Sequence, residues 1–167
     1  MKPAGTTERG TRSILTSIEE VQSAALQVAR SATRLLTMHT QDLDPPIFDQ
    51  PEFIETVKRL VLTSGYAKVR VLLADPAKTH YESSRFIGLA RKITSYIEVR
   101  HAHPDFRGHR ASFLIADDRA IVYRADASRW DGVHEANDRA VARHYLSLFD
   151  QAWLGSAPHP ETRQLHL

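Results

Sequence analysis

The stretch RASFLIADDRAIVYRADA, Arg110 to Ala127, decides the fold. It holds two apolar runs, Phe113 to Ala116 and Ala120 to Tyr123, separated by Asp117-Asp118-Arg119. Short apolar runs bounded by polar turn formers read as buried strands, and two runs this close in sequence read as a hairpin. The charged, Gly-containing segment from Asp126 to Asp138 then reads as a loop. A closing helix follows, with Val141, Tyr145, Leu148, Phe149 and Trp153 on one face.

Upstream of the hairpin the pattern is different. Ile18, Val21, Ala25, Val28, Ala29 and Ala32 recur at helical spacing, and Ser17 with Glu20 forms a capping-box pattern at the entrance. Leu35, Leu36 and Met38 make a short strand that ends at His39-Thr40-Gln41-Asp42 and the Pro45-Pro46 turn. Phe53, Ile54, Val57, Leu60 and Val61 restore the helical period, with Gly65 placed to stop that helix. Lys68 to Asp75, KVRVLLAD, reads as a buried parallel strand. A third helix near Tyr81 to Thr94 leads to the strand Tyr96 to Ala102. Three helix-strand alternations followed by a hairpin predict an α/β fold with a mixed, mostly parallel sheet flanked by helices. The expected layout is a tail over residues 1–13, one α/β domain over 14–154 and a tail over 155–167.

Composition bounds the chemistry. The 167 residues suit one domain, and 42% hydrophobic with 25% charged residues is ordinary for a globular protein. There is no cysteine, which excludes disulfides, thiolate metal sites and cysteine nucleophiles. No apolar run approaches membrane-spanning length, and a cytoplasmic protein without membrane contact or cofactor is expected. The net charge of +2 gives nucleic-acid binding only weak support, yet the charge is uneven. Residues 36–84 carry five basic and seven acidic side chains, whereas residues 85–129 carry nine basic and five acidic ones. A Walker-type loop and a G-x-G-x-x-G fingerprint are both missing.

Over residues 14 to 154 the order of elements, the LLADP strand, the hairpin and the F-x-x-x-W spacing of Phe149 and Trp153 resemble one half of a phospholipase D-like fold. That superfamily's motif reads H-x-K-x-x-x-x-D, followed by G-S-x-N. Aligned on the apolar run and the Asp, the motif His falls on Arg110, the Lys on Ser112 and the Asp on Asp117. The G-S-x-N element falls on Arg124, Ala125 and Ala127. The resemblance therefore implies a degenerate half-domain, a pseudoenzyme that keeps the framework without the nucleophile. Arginine is permanently charged and cannot replace a histidine nucleophile. His109 stands one residue early and would need a bulge to come into register. The resemblance further implies a homodimer of two halves, with Tyr145, Trp130 and Trp153 as interface candidates, and an accessory role beside an acetyltransferase in a bacterial protein.

The candidate ligand-binding residues are Arg110, His109, Arg85 and Arg129, which supply positive charge, together with His39, Asp42 and Asp75 at strand ends, where ligands gather in open α/β sheets. Arg129 with Trp130 pairs a cation with an aromatic surface suited to anions or a partner. His101 and His103, two residues apart, form a weak metal alternative. Two functions are expected from these residues. One is a non-catalytic domain binding an anionic small molecule or a protein partner. The other is a divergent phosphodiester hydrolase acting through His109 or His39, with Asp117 as the retained acid.

Overall fold

Ser17 opens the first helix by accepting the Glu20 backbone N–H at 3.2 Å, while the Glu20 carboxylate accepts the Thr16 N–H and hydroxyl. The predicted capping box is thus present, with its return bond one residue earlier than expected. The computed structural model describes residues 12–79, 81 and 84–158. Among these, α1 spans Ile18–Ser31, α2 Pro51–Thr63, α3 Arg85–Lys92 and α4 Arg139–Leu154. The strands are β1 (Arg12–Leu15), β2 (Leu35–Thr40), β3 (Lys68–Leu73), β4 (Ile97–His101), β5 (Ser112–Ala116), β6 (Ala120–Arg124), β7 (Gly132–Glu135) and β8 (Ala157–Pro158).

The strands form one open sheet in the order β1-β7-β6-β5-β2-β3-β4-β8. The mixed α/β architecture agrees with the pattern in the sequence, and the hairpin pairs Phe113 with Tyr123 and Ile115 with Ile121. Parallel pairing is confined to β2, β3 and β4, and every other pairing among the described residues is antiparallel. Besides β1, whose first two residues fall in the expected N-terminal tail, two of the antiparallel strands lie where loop or tail was expected. The segment read as a loop, 126–138, contains β7, and Ala157–Pro158 of the expected tail pairs with β4. Both are short and carry little apolar alternation, so periodicity gave no sign of them. Gly65 does not close α2 in a left-handed cap. That helix ends at Thr63, Ser64 is extended, and no described glycine has a positive φ.

Strand parity divides the core into two layers. Leu36, Met38, Val69, Val71, Leu114 and Val122 face α1, α2 and α3. Leu72, Phe113, Ile115 and Ile121 face α4 through Phe149, Ala142 and Ala152. The F-x-x-x-W face of α4 is fastened by cations: Phe149 and Trp153 stack at 5.4 Å, Arg70 lies 4.8 Å over Phe149, and Arg100 lies 4.3 Å over Trp153. Tyr145 stacks on Tyr123 at 4.7 Å, and Trp130 covers Arg124 at 4.8 Å. The three aromatics expected at a dimer interface are therefore engaged within the chain itself.

Candidate functional site

Parity also turns Thr40, Ser112 and Arg124 toward the α1 face, at the sheet end where β2 finishes and β5 begins. Ser112 and Arg124 are paired in register. The loop after β2 brings Asp44 over them. Asp44 Oδ1 lies 3.0 Å from Arg124 Nη2, and both side chains are almost fully buried. Asp44 Oδ2 accepts the Thr40 hydroxyl at 2.7 Å and the Ser112 hydroxyl at 2.8 Å. The guanidinium also donates to the carbonyls of Ala127 and Arg129. A buried ion pair persists only when its remaining hydrogen-bonding capacity is met, and this one meets it.

The loop carries strain. Leu43 and Asp44 both have positive φ, 73° and 35°, a region that costs non-glycine residues energy. Burial of Leu43, the Asp44 carboxylate network and the Asp44 N–H bond to Asp42 Oδ1 hold it there.

Above this network lies an open cavity of about 550 Å³. Four loops line it: Gln41, Asp42 and Asp44 after β2, Asp75 and Lys78 after β3, Arg107, Gly108 and Arg110 before β5, and Asp126, Ala127 and Ser128 after β6. This is the crevice at the carboxyl ends of parallel strands, where an antiparallel neighbour adjoins. Burial, with the neighbouring carboxylates Asp44 and Asp75, raises the Asp42 carboxyl above its ordinary range. Asp126 is held below that range, chiefly by the hydrogen bonds of Ser128 and then by the charges of Arg110 and Arg129.

Three of the predicted ligand residues, Arg110, Asp42 and Asp75, meet in this cavity. The other four lie elsewhere. His109 is exposed, and its ring stacks on Phe106 at 6.2 Å. Because β5 starts only at Ser112, His109 and Arg110 both lie in the preceding loop, and no bulge sets their register. Arg85 opens α3, its backbone N–H bonding Asp49 at 2.7 Å. Arg129 is exposed and bound to Asp131 at 2.7 Å. His39 is buried on the α4 face, stacked on Phe113 at 5.0 Å with Nδ1 donating to the Ala111 carbonyl. Burial lowers its pKa to about 4.

Asp117 stands at the far end of β5. With φ at 54°, its carboxylate accepts the N–H groups of Thr33, Arg34 and Leu35 and the Thr33 hydroxyl, pinning the hairpin turn to the start of β2. It has no access to the cavity, so the alternative that uses it as a catalytic acid beside His109 is not assembled. His101 and His103 also separate. The His101 ring approaches the Tyr81 hydroxyl at 3.4 Å, while His103 Nδ1 accepts the Asp105 N–H and caps a short helix. Among the described residues, no three His, Asp or Glu side chains gather as a metal-binding group.

Sequence reasoning passed over Asp44, Lys78, Arg107 and Asp126 as site residues. One signal was available: Arg124 shares the inward parity of Val122 in an apolar strand, and a charge in that position demands a buried partner.

No curated protein matches the chain in sequence. In structure it is similar to TrmBL2, an archaeal chromatin protein, with a TM-score of 0.65 and 13% identity. That match covers 89% of this chain and 54% of the other, so the chain spans about half the length of that protein. It is also similar to Nuc, a phospholipase D family member from Salmonella typhimurium, with a TM-score of 0.61, 14% identity, and 89% and 98% of the two chains covered. NucT from Helicobacter pylori gives 0.62 and 13% over the same shares. The mixed sheet with helices on both faces is thus the fold of a phospholipase D-like domain. More specifically, the chain belongs to the DUF7931 family, a domain of unknown function, whose profile matches residues 17–165. No described helix is long and apolar enough to cross a membrane.

Proposed function

We propose that this domain is a non-catalytic, phospholipase D-like binding module that holds a small anion in the cavity at the carboxyl ends of β2 and β3. The observation that carries the reading is the placement of Arg110 and Arg107 on the cavity wall above a saturated ion-pair network. In the alignment on Asp117, the position of the motif His holds Arg110 and that of the Lys holds Ser112. Arginine binds phosphate or carboxylate through parallel N–H donors yet cannot act as a nucleophile. The Ser112 hydroxyl is committed to Asp44. Neither imidazole that a hydrolase would use lines the cavity: His39 is buried against Phe113, and His109 is exposed with its ring stacked on Phe106. A concave, polar site favours a small ligand over a protein surface, which would need a broader and flatter patch.

Titration calorimetry with phosphate and sulfate tests this. Wild-type protein should bind, and Arg110→Ala should abolish binding while leaving the melting temperature nearly unchanged, because Arg110 is exposed. Silence from the wild type sinks the anion reading. Turnover of a phosphodiester substrate, lost in His109→Ala, would instead establish the hydrolase.

A further inference from the structure

The sheet order sets cationic and anionic side chains side by side along the cavity. Running from β6 through β5 and β2 to β3, the loops present Asp126, then Arg107 and Arg110, then Asp42, then Asp75 with Lys78. Most of these charges have a counterpart. Asp126 takes Ser128 and the field of Arg110, Asp44 takes Arg124, and Asp75 lies 3.6 Å from Lys78.

Asp42 differs. It is half-buried in the same cavity as Asp44 and Asp75, the Asp44 N–H bonds its Oδ1, those two carboxylates oppose its charge, and no ion pair between described residues reaches it. A carboxylate partly withdrawn from water beside two others is a charge deficit that an incoming cation would offset.

We propose that the ligand is zwitterionic, with an anionic group for Arg110 and Arg107 and an ammonium or guanidinium for Asp42, Asp75 flanking it. This rests on the anion-binding reading and adds the second charge. A plain anion would gain from the arginines and lose to the acids. A molecule carrying both charges gains from each, and hydrogen bonds to a charged group are the strong kind.

The experiment is a calorimetric comparison of two probes that differ by one ammonium, ethylphosphonate and 2-aminoethylphosphonate. The amino compound should bind wild-type protein at least about tenfold more tightly. Asp42→Asn should erase that advantage, since the amide still accepts the Asp44 N–H but carries no charge, and it should improve ethylphosphonate binding. Asp75→Asn, outside the strained segment, should shift both probes in the same directions by less. Equal affinities in the wild type, or an advantage that survives Asp42→Asn, would overturn the zwitterion inference while leaving the anion site standing. Failure of both phosphonates to bind would remove the anion site as well.

Discussion

His39 makes folding stability depend on acid, and its size can be worked out. The imidazole is 5% exposed, and burial moves its pKa from 6.5 down to about 4. Between those values the unfolded chain carries a proton that the folded chain refuses. Stability therefore falls as pH drops below 6.5, and the loss from this group is nearly complete a little below pH 4. At about 1.4 kcal/mol per pH unit the gap amounts to about 3 kcal/mol, a large share of the ~5–15 kcal/mol that holds a domain together. His39→Phe isolates the contribution. Phenylalanine preserves the stack on Phe113, and the Ala111 carbonyl keeps a donor in the Gln41 amide at 2.9 Å. At pH 7 the variant should therefore lie within about 1 kcal/mol of wild type. Urea unfolding at pH 7 and pH 4 should show wild type losing about 3 kcal/mol more than His39→Phe across that interval. His101 and His134, both also lowered by burial, act in the same direction in both proteins and cancel from the comparison. Equal losses in the two proteins, or a His39 ring titrating near 6.5 by NMR, would refute the reasoning.

Two further predictions concern the polar anchors. Arg124→Met strands the Asp44 carboxylate in a buried site and should cost about 3–5 kcal/mol in urea unfolding, whereas adding Asp44→Asn should recover part of that loss. Equal instability of the single and double variants would show that the charge is not the cause. Asp117→Ala frees three backbone N–H groups and leaves alanine at positive φ, so a loss of about 2–3 kcal/mol is expected with phosphate affinity unchanged. Reduced affinity at unchanged stability would place Asp117 in the site after all.

What the sequence disclosed follows from what periodicity encodes. Helices α1, α2 and α4, strands β2 to β4 and the β5–β6 hairpin each carry several apolar residues on one face, so their type was visible. Strands β1, β7 and β8 span four residues or fewer and gain their identity from neighbours already in place. The site divides in the same way. Asp42 and Asp75 follow the carboxyl ends of β2 and β3, where the fold rule points, and Arg110 stands where the superfamily's motif His falls. Asp44 and Arg124 face each other across 80 residues of sequence, and only the sheet order brings them together. His39 misled because it sits at a strand end yet has the parity of the α4 face.

The β2–β5 junction joins two regions of different character. On one side lie three parallel strands with their crossover helices, and on the other lie antiparallel strands dominated by a tight hairpin. The Asp117 bonds that fasten this junction connect residues 82 to 84 apart in sequence. Closing so long a loop costs entropy before any contact rewards it, while a hairpin forms in ~1–10 μs. We therefore expect completion of the junction to limit folding, so Asp117→Ala should slow refolding in a stopped-flow measurement, and an unchanged rate would refute this.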